Sequence, residues 1–100
     1  MSDLSTNPLV SIIILNYNAG DLLSECIKSI FKTTYHNFEV IVVDNASKDD
    51  SHNKCKIKFK QILLIENSKN LGYCEGNNVG IRDAKGEFIL LIDREHQTIV

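Results

Sequence analysis

A chain of 100 residues is long enough for one small domain. Hydrophobic residues make up 43% of the chain and charged residues 24%, ordinary globular values that argue against disorder. The net charge of -2 gives no electrostatic reason to expect nucleic acid or an anionic membrane as a partner. The longest apolar run, residues 88–92, is far shorter than the roughly 20 residues of a membrane span. Since the N-terminus also lacks the apolar core of a signal peptide, the sequence predicts a cytoplasmic protein.

The first predicted strand runs into a group of polar residues. Residues 10–15 are apolar and mostly β-branched, with Ser11 as the one interruption, which is typical of a strand covered on both faces of a parallel sheet. Asn16, Tyr17 and Asn18 follow directly. After Gly20 the apolar residues recur at helical spacing as far as Phe31, which predicts an amphipathic helix.

The second predicted strand, residues 38–44, ends on the carboxylate Asp44, and Asn45 opens the turn-forming loop behind it. Residues 54–60 are ambiguous, because lysines alternate with apolar residues as in a strand, while Cys55 and Phe59 also fit one face of a helix. We favour a short helix, since the apolar stretch that follows needs a crossover to become a parallel neighbour. The lysines are most simply a solvated face.

Four of the five glycines fall within residues 72–86. The pattern predicts a loop to about Tyr73 and a helix that runs towards Lys85 and is closed by Gly86 at its C-terminal end. A fourth apolar strand follows and ends on Asp93.

Alternation of strands and helices predicts an α/β fold, a Rossmann-like three-layer sandwich with a mostly parallel four-stranded sheet and helices on both faces. In such sheets, ligands bind outside the carboxyl ends of the strands, where the strand order reverses. Three of the four strands end in polar residues, so we expect a ligand site along that edge.

The candidate residues favour a nucleotide, although the two common glycine-rich phosphate motifs are absent from the first turn. The ring of Tyr17 can stack on a base. The Asp44 carboxylate can accept a hydrogen bond from an imide N–H, which uracil and thymine carry. Together with the acid at the end of the fourth strand, it could also hold a divalent ion that bridges a diphosphate.

Three stretches, in order, carry a family resemblance: "VSIIILNYNAGDLLSECIKSI", "FEVIVVDNASKDDS" and "NLGYCEGNNVGIRDAKGEFILLID". From about Val10 to Asp93 the chain resembles the N-terminal, nucleotide-binding half of family 2 glycosyltransferases of the GT-A fold. This resemblance implies transfer of a sugar from a nucleotide donor, such as a UDP- or dTDP-sugar, to an acceptor hydroxyl, commonly with Mn²⁺ or Mg²⁺. Residues 1–9 and 94–100 are then tails flanking the resembling region 10–93.

The resemblance also implies a set of site residues. Tyr17, with Asn16 and Asn18, would lie against the base and ribose, and Asp44 would read the base beside Asn45. Asn70 and Gly72 would lie on the loop next to the nucleotide, and Asn77 and Asn78 would open the helix behind it.

The pattern departs from the family at the expected metal motif. Aligned without gaps, Asp93 and Glu95 form a D-x-E in which Glu95 takes the metal-holding place; aligned with a two-residue insertion, Gln97 takes it. Arg94 adds a cation beside the acids.

The expected acceptor-binding half and its catalytic base have no counterpart in these residues, so we expect no transferase activity from the chain alone. The fourth strand is expected to expose its outer edge, through which the chain would self-associate or meet a missing C-terminal half. Two alternatives stay open: a non-catalytic binding or assembly module that keeps the fold, and an unrelated α/β enzyme with a metal between Asp44 and Asp93.

Overall fold

The computed structural model of the chain describes residues 7–92 and 97–99. The strands are β1 (Val10–Asn16), β2 (Phe38–Asp44), β3 (Leu63–Glu66), β4 (Phe88–Ile92) and β5 (Gln97–Ile99), and the helices are α1 (Asp21–Phe31), α2 (Ser51–Lys58) and α3 (Gly72–Asp83). The predicted alternation of strands and helices is confirmed, and the ambiguous lysine-rich stretch is a helix. Among the described residues, no helix is long and apolar enough to cross a bilayer.

The strands form one sheet in the order β3-β2-β1-β4-β5, and β1 to β4 are parallel. The chain steps outward from β1 to β3 and then crosses to β4 on the other side of β1. The strand order therefore reverses between β1 and β4, which is the position where open α/β sheets bind ligands. The predicted Rossmann-like fold with a mostly parallel sheet is confirmed.

Both faces of the central strands are buried. Ile12 and Ile14 of β1 pack with α1 and α2, while Ile13 points to the opposite face and packs towards α3. β2 alternates in the same way, with Val42 on the first face and Val43 on the second. This two-sided burial explains why the central strands appear in the sequence as nearly continuous apolar runs.

The outer edge of β4 is covered, contrary to the expectation of an open edge. Strand β5, which the sequence placed within a C-terminal tail, pairs antiparallel with Leu90, Leu91 and Ile92. A three-residue strand carries too little alternation to be recognised from its sequence.

Gly86 has a different role from the predicted helix cap. Helix α3 already ends at Asp83, and the next residue, Ala84, is extended. A Cβ atom at Gly86 would lie 2.6 Å from the backbone nitrogen of Ser11 and 2.8 Å from the carbonyl oxygen of Leu9. Glycine is therefore required because the chain passes directly against the backbone at the start of β1.

Replacing Gly86 with alanine should lower the free energy of unfolding by about 1–3 kcal/mol, because the added methyl group meets backbone atoms that cannot move independently. Urea denaturation followed by circular dichroism measures this change. The matched control is Lys85→Ala at the preceding exposed position, which should stay within about 0.5 kcal/mol of the unchanged chain. Equal stability of the two variants would contradict the close-approach argument.

Candidate functional site

The carboxyl ends of three parallel strands lie side by side at one edge of the sheet. Asn16 is the register partner of Asp44, and Asp44 is the register partner of Glu66. The backbone ladder continues one residue further, since the N–H of Asn45 donates to the carbonyl of Asn16 at 2.9 Å. The predicted convergence of polar residues is therefore present for β1 and β2.

Asp44 lies inside the protein and is 2% exposed. Its Oδ1 accepts hydrogen bonds from Nδ2 of Asn16 at 2.8 Å and from the Ser47 hydroxyl at 2.6 Å. Its Oδ2 accepts from the Ser47 backbone N–H at 2.9 Å. Both carboxylate oxygens thus serve protein donors, and this geometry favours a supporting role over the predicted contact with a base.

Asn16 joins three parts of the site. Besides donating to Asp44, its Nδ2 lies 2.9 Å from the Ser51 hydroxyl at the start of α2 and 3.3 Å from the Ser47 hydroxyl. Asn16 is 1% exposed. It therefore holds the end of β1, the loop after β2 and the start of α2 together, and its side chain is buried in this network rather than open to a base and ribose.

His52 is a member of this cluster that the sequence did not single out. It is buried at the start of α2, with Nδ1 3.6 Å from Oδ1 of Asp44 and Nε2 3.5 Å from Oε1 of Glu66. The signal available in the sequence is the position of His52 shortly after β2, in the first turn of α2. The helix predicted there is inferred from Cys55 and Phe59, which do not define where its first turn begins. The imidazole lies between two carboxylates that come from adjacent strand ends.

Asn18 connects the loop after β1 to the loop after β2. Its backbone is left-handed, with φ of 52°, and its Oδ1 accepts from the N–H groups of Lys48 and Asp49 at 2.7 and 3.2 Å. Asp49 makes a second connection between the two loops, because its Oδ2 accepts a hydrogen bond from the N–H of Gly20 at 3.0 Å. These bonds place Asn18 in a loop-to-loop bridge.

A pocket of about 260 Å³ opens beside this network. It is lined by Leu15, Tyr17, Ala19, Asn45, Asn70, Gly72 and Tyr73. Two tyrosine rings border it, Tyr17 from the end of β1 and Tyr73 from the start of α3, and they are 46% and 47% exposed. Four predicted site residues, Tyr17, Asn45, Asn70 and Gly72, are thus brought together on one surface, whereas Asp44 does not line it.

Asn45 fixes the inner wall of the pocket. It is 2% exposed, its Nδ2 donates to the Gly72 carbonyl at 3.1 Å, and its Oδ1 accepts from Nδ2 of Asn67 at 2.9 Å. Asn70 shapes the rim, because its Oδ1 accepts from the N–H of Gly72 at 2.8 Å. Gly72 has φ of 82°, a backbone conformation that glycine adopts at little steric cost.

The resemblance implied that Asn77 and Asn78 open helix α3, and this is wrong. They lie in the middle of the helix, because it begins at Gly72. Asn77 is 3% exposed and donates from Nδ2 to the Tyr73 carbonyl at 3.0 Å. Its Oδ1 is buried without a hydrogen-bond partner among the described residues. Asn78 is exposed, and neither residue lines the pocket.

The expected metal ligands, Asp93 and Glu95, lie outside the described residues. Within residues 7–92, His, Cys, Asp and Glu side chains do not gather in any group of three suited to a metal ion.

The Asn16→Ala variant should lower the free energy of unfolding by about 2–3 kcal/mol, because the buried Asp44 carboxylate loses a donor and Ser51 loses a partner. Asn53→Ala is the matched control: Asn53 also donates to a carboxylate, at 2.9 Å to Asp50, but at an exposed position. Urea denaturation should separate the two variants by at least about 1 kcal/mol, and similar midpoints would show that the network adds no stability.

Asp49 should make stability depend on pH. The Ser51 hydroxyl lowers the pKa of the Asp49 carboxyl below its ordinary value, with further help from the N–H groups of Ser51 and Gly20. Since the pKa is lower in the folded state, this stabilisation is present above about pH 4 and is lost as pH falls through the folded-state pKa. Asp49→Asn should therefore be less stable at pH 7 and lose less stability between about pH 5 and 2.

Urea midpoints measured across that pH range test the Asp49 assignment. Asp83→Asn, a charge-matched change at an exposed residue of α3, serves as the control and should keep the pH slope of the unchanged chain. An identical slope in Asp49→Asn and Asp83→Asn would contradict the assignment.

Comparison with known proteins gives the site a family context. Residues 11–97 match the profile of glycosyl transferase family 2. The glycosyltransferase GlyG of Streptococcus pneumoniae is 36% identical over 90 residues, which is 87% of this chain and 30% of that protein.

Two solved structures share the fold. The mannosyltransferase PcManGT of Pyrobaculum calidifontis, in complex with GDP-Man and Mn²⁺, superposes with a TM-score of 0.79 at 27% identity, over 89% of this chain and 28% of that chain. TarS of S. aureus, residues 1–349 in complex with UDP-GlcNAc, gives 0.76 at 29% identity, over 84% of this chain and 26% of that chain. The chain thus spans about a third or less of these proteins. It belongs to glycosyl transferase family 2 and has the GT-A fold of its structural neighbours.

Proposed function

We propose that the chain is the donor-binding part of a glycosyltransferase and that the pocket between Tyr17 and Tyr73 holds the base and ribose of a nucleotide sugar. The observation that carries this proposal is the pairing of two half-exposed tyrosine rings over a polar wall at the carboxyl edge of a parallel sheet. Aromatic rings stack on bases. The structural neighbours that hold GDP-Man and UDP-GlcNAc support the same ligand class.

The size of the pocket fits part of such a ligand. Small-molecule sites that enclose a whole ligand have volumes of roughly 300–1,000 Å³, and this pocket has about 260 Å³. A base and ribose would fill this pocket. The diphosphate and sugar would extend along the carboxyl ends of the strands towards β4.

Tyr17 and Tyr73 are the groups that would contact the base. Asn45, whose amide already serves Gly72 and Asn67, would hold the pocket in shape. Asp44, whose oxygens serve Ser47 and Asn16, would act by holding the loop that carries Asn45. A UDP- or dTDP-sugar remains the proposed donor, with Mn²⁺ or Mg²⁺ at Asp93 and Glu95 as the proposed metal.

Sugar transfer would require residues beyond this chain. The chain spans 30% of GlyG, and an acceptor hydroxyl needs a base to take its proton during attack. We therefore propose that these 100 residues bind the donor without transferring its sugar.

The remaining part of such an enzyme, or a second copy of the chain, would pack on the faces of β4. A cavity of about 330 Å³, lined in part by Ile14, Leu22 and Ile92, lies beside β4 on the α1 side of the sheet. Leu22 is 51% exposed, and Phe88 of β4 is 50% exposed. Since β5 covers the strand edge, this contact would be made through the faces of the sheet.

Donor binding is tested by titrating the chain with UDP, dTDP and GDP, with and without Mn²⁺, in a calorimeter. Tyrosine fluorescence gives a second readout, because the chain has three tyrosines and no tryptophan. Tyr17→Ala should weaken binding on the order of tenfold to a hundredfold, because base stacking contributes about 1–3 kcal/mol. Tyr17→Phe, which keeps the ring, should bind nearly as well as the unchanged chain.

The control is Tyr35→Phe, because Tyr35 lies outside the pocket and donates to the Pro8 carbonyl. Unchanged affinity in Tyr17→Ala would contradict the stacking role. Failure of all three nucleotides to bind would leave a non-catalytic module as the better description of the chain.

A further inference from the structure

Helix α2 and the turn behind it carry a concentrated positive charge. Lys54, Lys56, Lys58 and Lys60, here called the lysine face, are four of the eleven basic residues in a chain of net charge -2. On α2, Lys54 and Lys58 lie on one side of Ile57 and Lys56 lies on the other, while Lys60 follows the end of the helix. Residues 51–65 contain no acidic residue. The sequence predicted a solvated surface here, and the packing of the helix adds two observations.

The first observation is the position of Ile57. It is 73% exposed, more than any other large apolar side chain among the described residues. Ser51, His52 and Cys55 form the buried side of α2. At 100° per residue, Ile57 lies roughly opposite these three residues, so it projects outward with lysines on both sides. Leu63, which is 46% exposed, begins the neighbouring edge strand β3.

The second observation is that the lysine ammonium groups do not pair with carboxylates within residues 7–92. Arg82 pairs there with Glu75, and the His52 ring lies near Asp44 and Glu66. Lys56 donates to the carbonyls of Lys60 and Ile62 at 2.9 and 2.6 Å, and Lys58 lies 5.6 Å from the ring centroid of Phe59. Asp21 and Glu25 of α1 line the same groove as Lys54 and Lys58, and Asp50 directly precedes α2.

We propose that the lysine face binds the surface of an anionic bilayer, with Ile57 entering the boundary between headgroups and acyl chains. Clustered lysines on a helix are attracted to anionic lipids, and an outward apolar side chain adds burial that charge alone does not supply. Long lysine side chains can also lie along an apolar surface while their ammonium groups stay with the headgroups. This is attachment to one leaflet, which is distinct from spanning it.

The composition of the face favours a lipid surface over a protein partner. Protein interfaces are enriched in arginine and aromatic residues and depleted in lysine. The lysine face has four lysines and no arginine. A bilayer responds to clustered charge without requiring the planar geometry for which arginine is suited.

The test is co-sedimentation of the full 100-residue chain with vesicles of phosphatidylcholine containing 30% phosphatidylglycerol, and with vesicles of phosphatidylcholine alone. The chain should sediment with the anionic vesicles at low salt and be released at 0.5 M NaCl, where charges are screened beyond a few ångströms. Lys54→Gln/Lys58→Gln should reduce partitioning on the order of tenfold or more, because each lysine near the surface contributes about a fivefold factor. Ile57→Ser should also reduce partitioning.

A matched control lies on other surfaces. Lys69→Gln/Lys85→Gln removes the same charge at exposed positions. This variant should partition like the unchanged chain, and circular dichroism should show that all variants remain folded. The Tyr17 pocket lies outside the lysine face, so nucleotide binding should be the same in every variant.

Partitioning that is equal on neutral and anionic vesicles, or equally reduced by both lysine pairs, would overturn the proposal. The same holds if the chain does not sediment with anionic vesicles at low salt. Binding to soluble polyglutamate without binding to vesicles would overturn it in favour of an acidic protein partner.

Discussion

The fixed position of the buried Asp44 carboxylate organises the functional edge of this domain. A buried charge is costly unless donors surround it, and Asp44 obtains donors from Asn16 on the neighbouring strand and from Ser47 in its own loop. Through Asn16 the same network reaches Ser51 at the start of α2. The end of one strand therefore cannot shift without breaking bonds to the next strand, its loop and its helix.

This rigidity is what a binding pocket at a sheet edge requires, because loops by themselves are mobile. The loop after β2 is bonded to Asp44 through Ser47 and to Asn18 through the N–H of Lys48. Asn45 therefore has a fixed position, and its amide donates to the Gly72 carbonyl. Tyr17, after the end of β1, and Tyr73, near the start of α3, then line the opening. The buried polar residues position the site, and the exposed aromatic residues are left to contact a ligand.

Much of the fold could be predicted from the sequence, because strands that are buried on both faces consist mostly of consecutive apolar residues. The nearly continuous apolar runs of β1 and β2 indicate inner strands, and polar residues at the ends of parallel strands are expected along one edge of the sheet. Strand β5 could not be predicted, since three residues show no period. The role of Gly86 could not be predicted, because glycine suits both a helix end and a close backbone approach, and the approach depends on Ser11, 75 residues earlier in the chain.

The α/β fold, the family and the position of the candidate site could be inferred from the amino-acid sequence, because these inferences depend on local periodicity and on short motifs. Which of the polar residues are buried and which are open depends on the three-dimensional arrangement of the chain. Asn16 and Asp44 appear in the sequence as equals of Tyr17 and Asn70, yet their side chains turn inward to each other while those of Tyr17 and Asn70 line the pocket. That division depends on the direction in which each side chain leaves the sheet edge and on the donors that it meets there, and both are set by residues about 30 positions away.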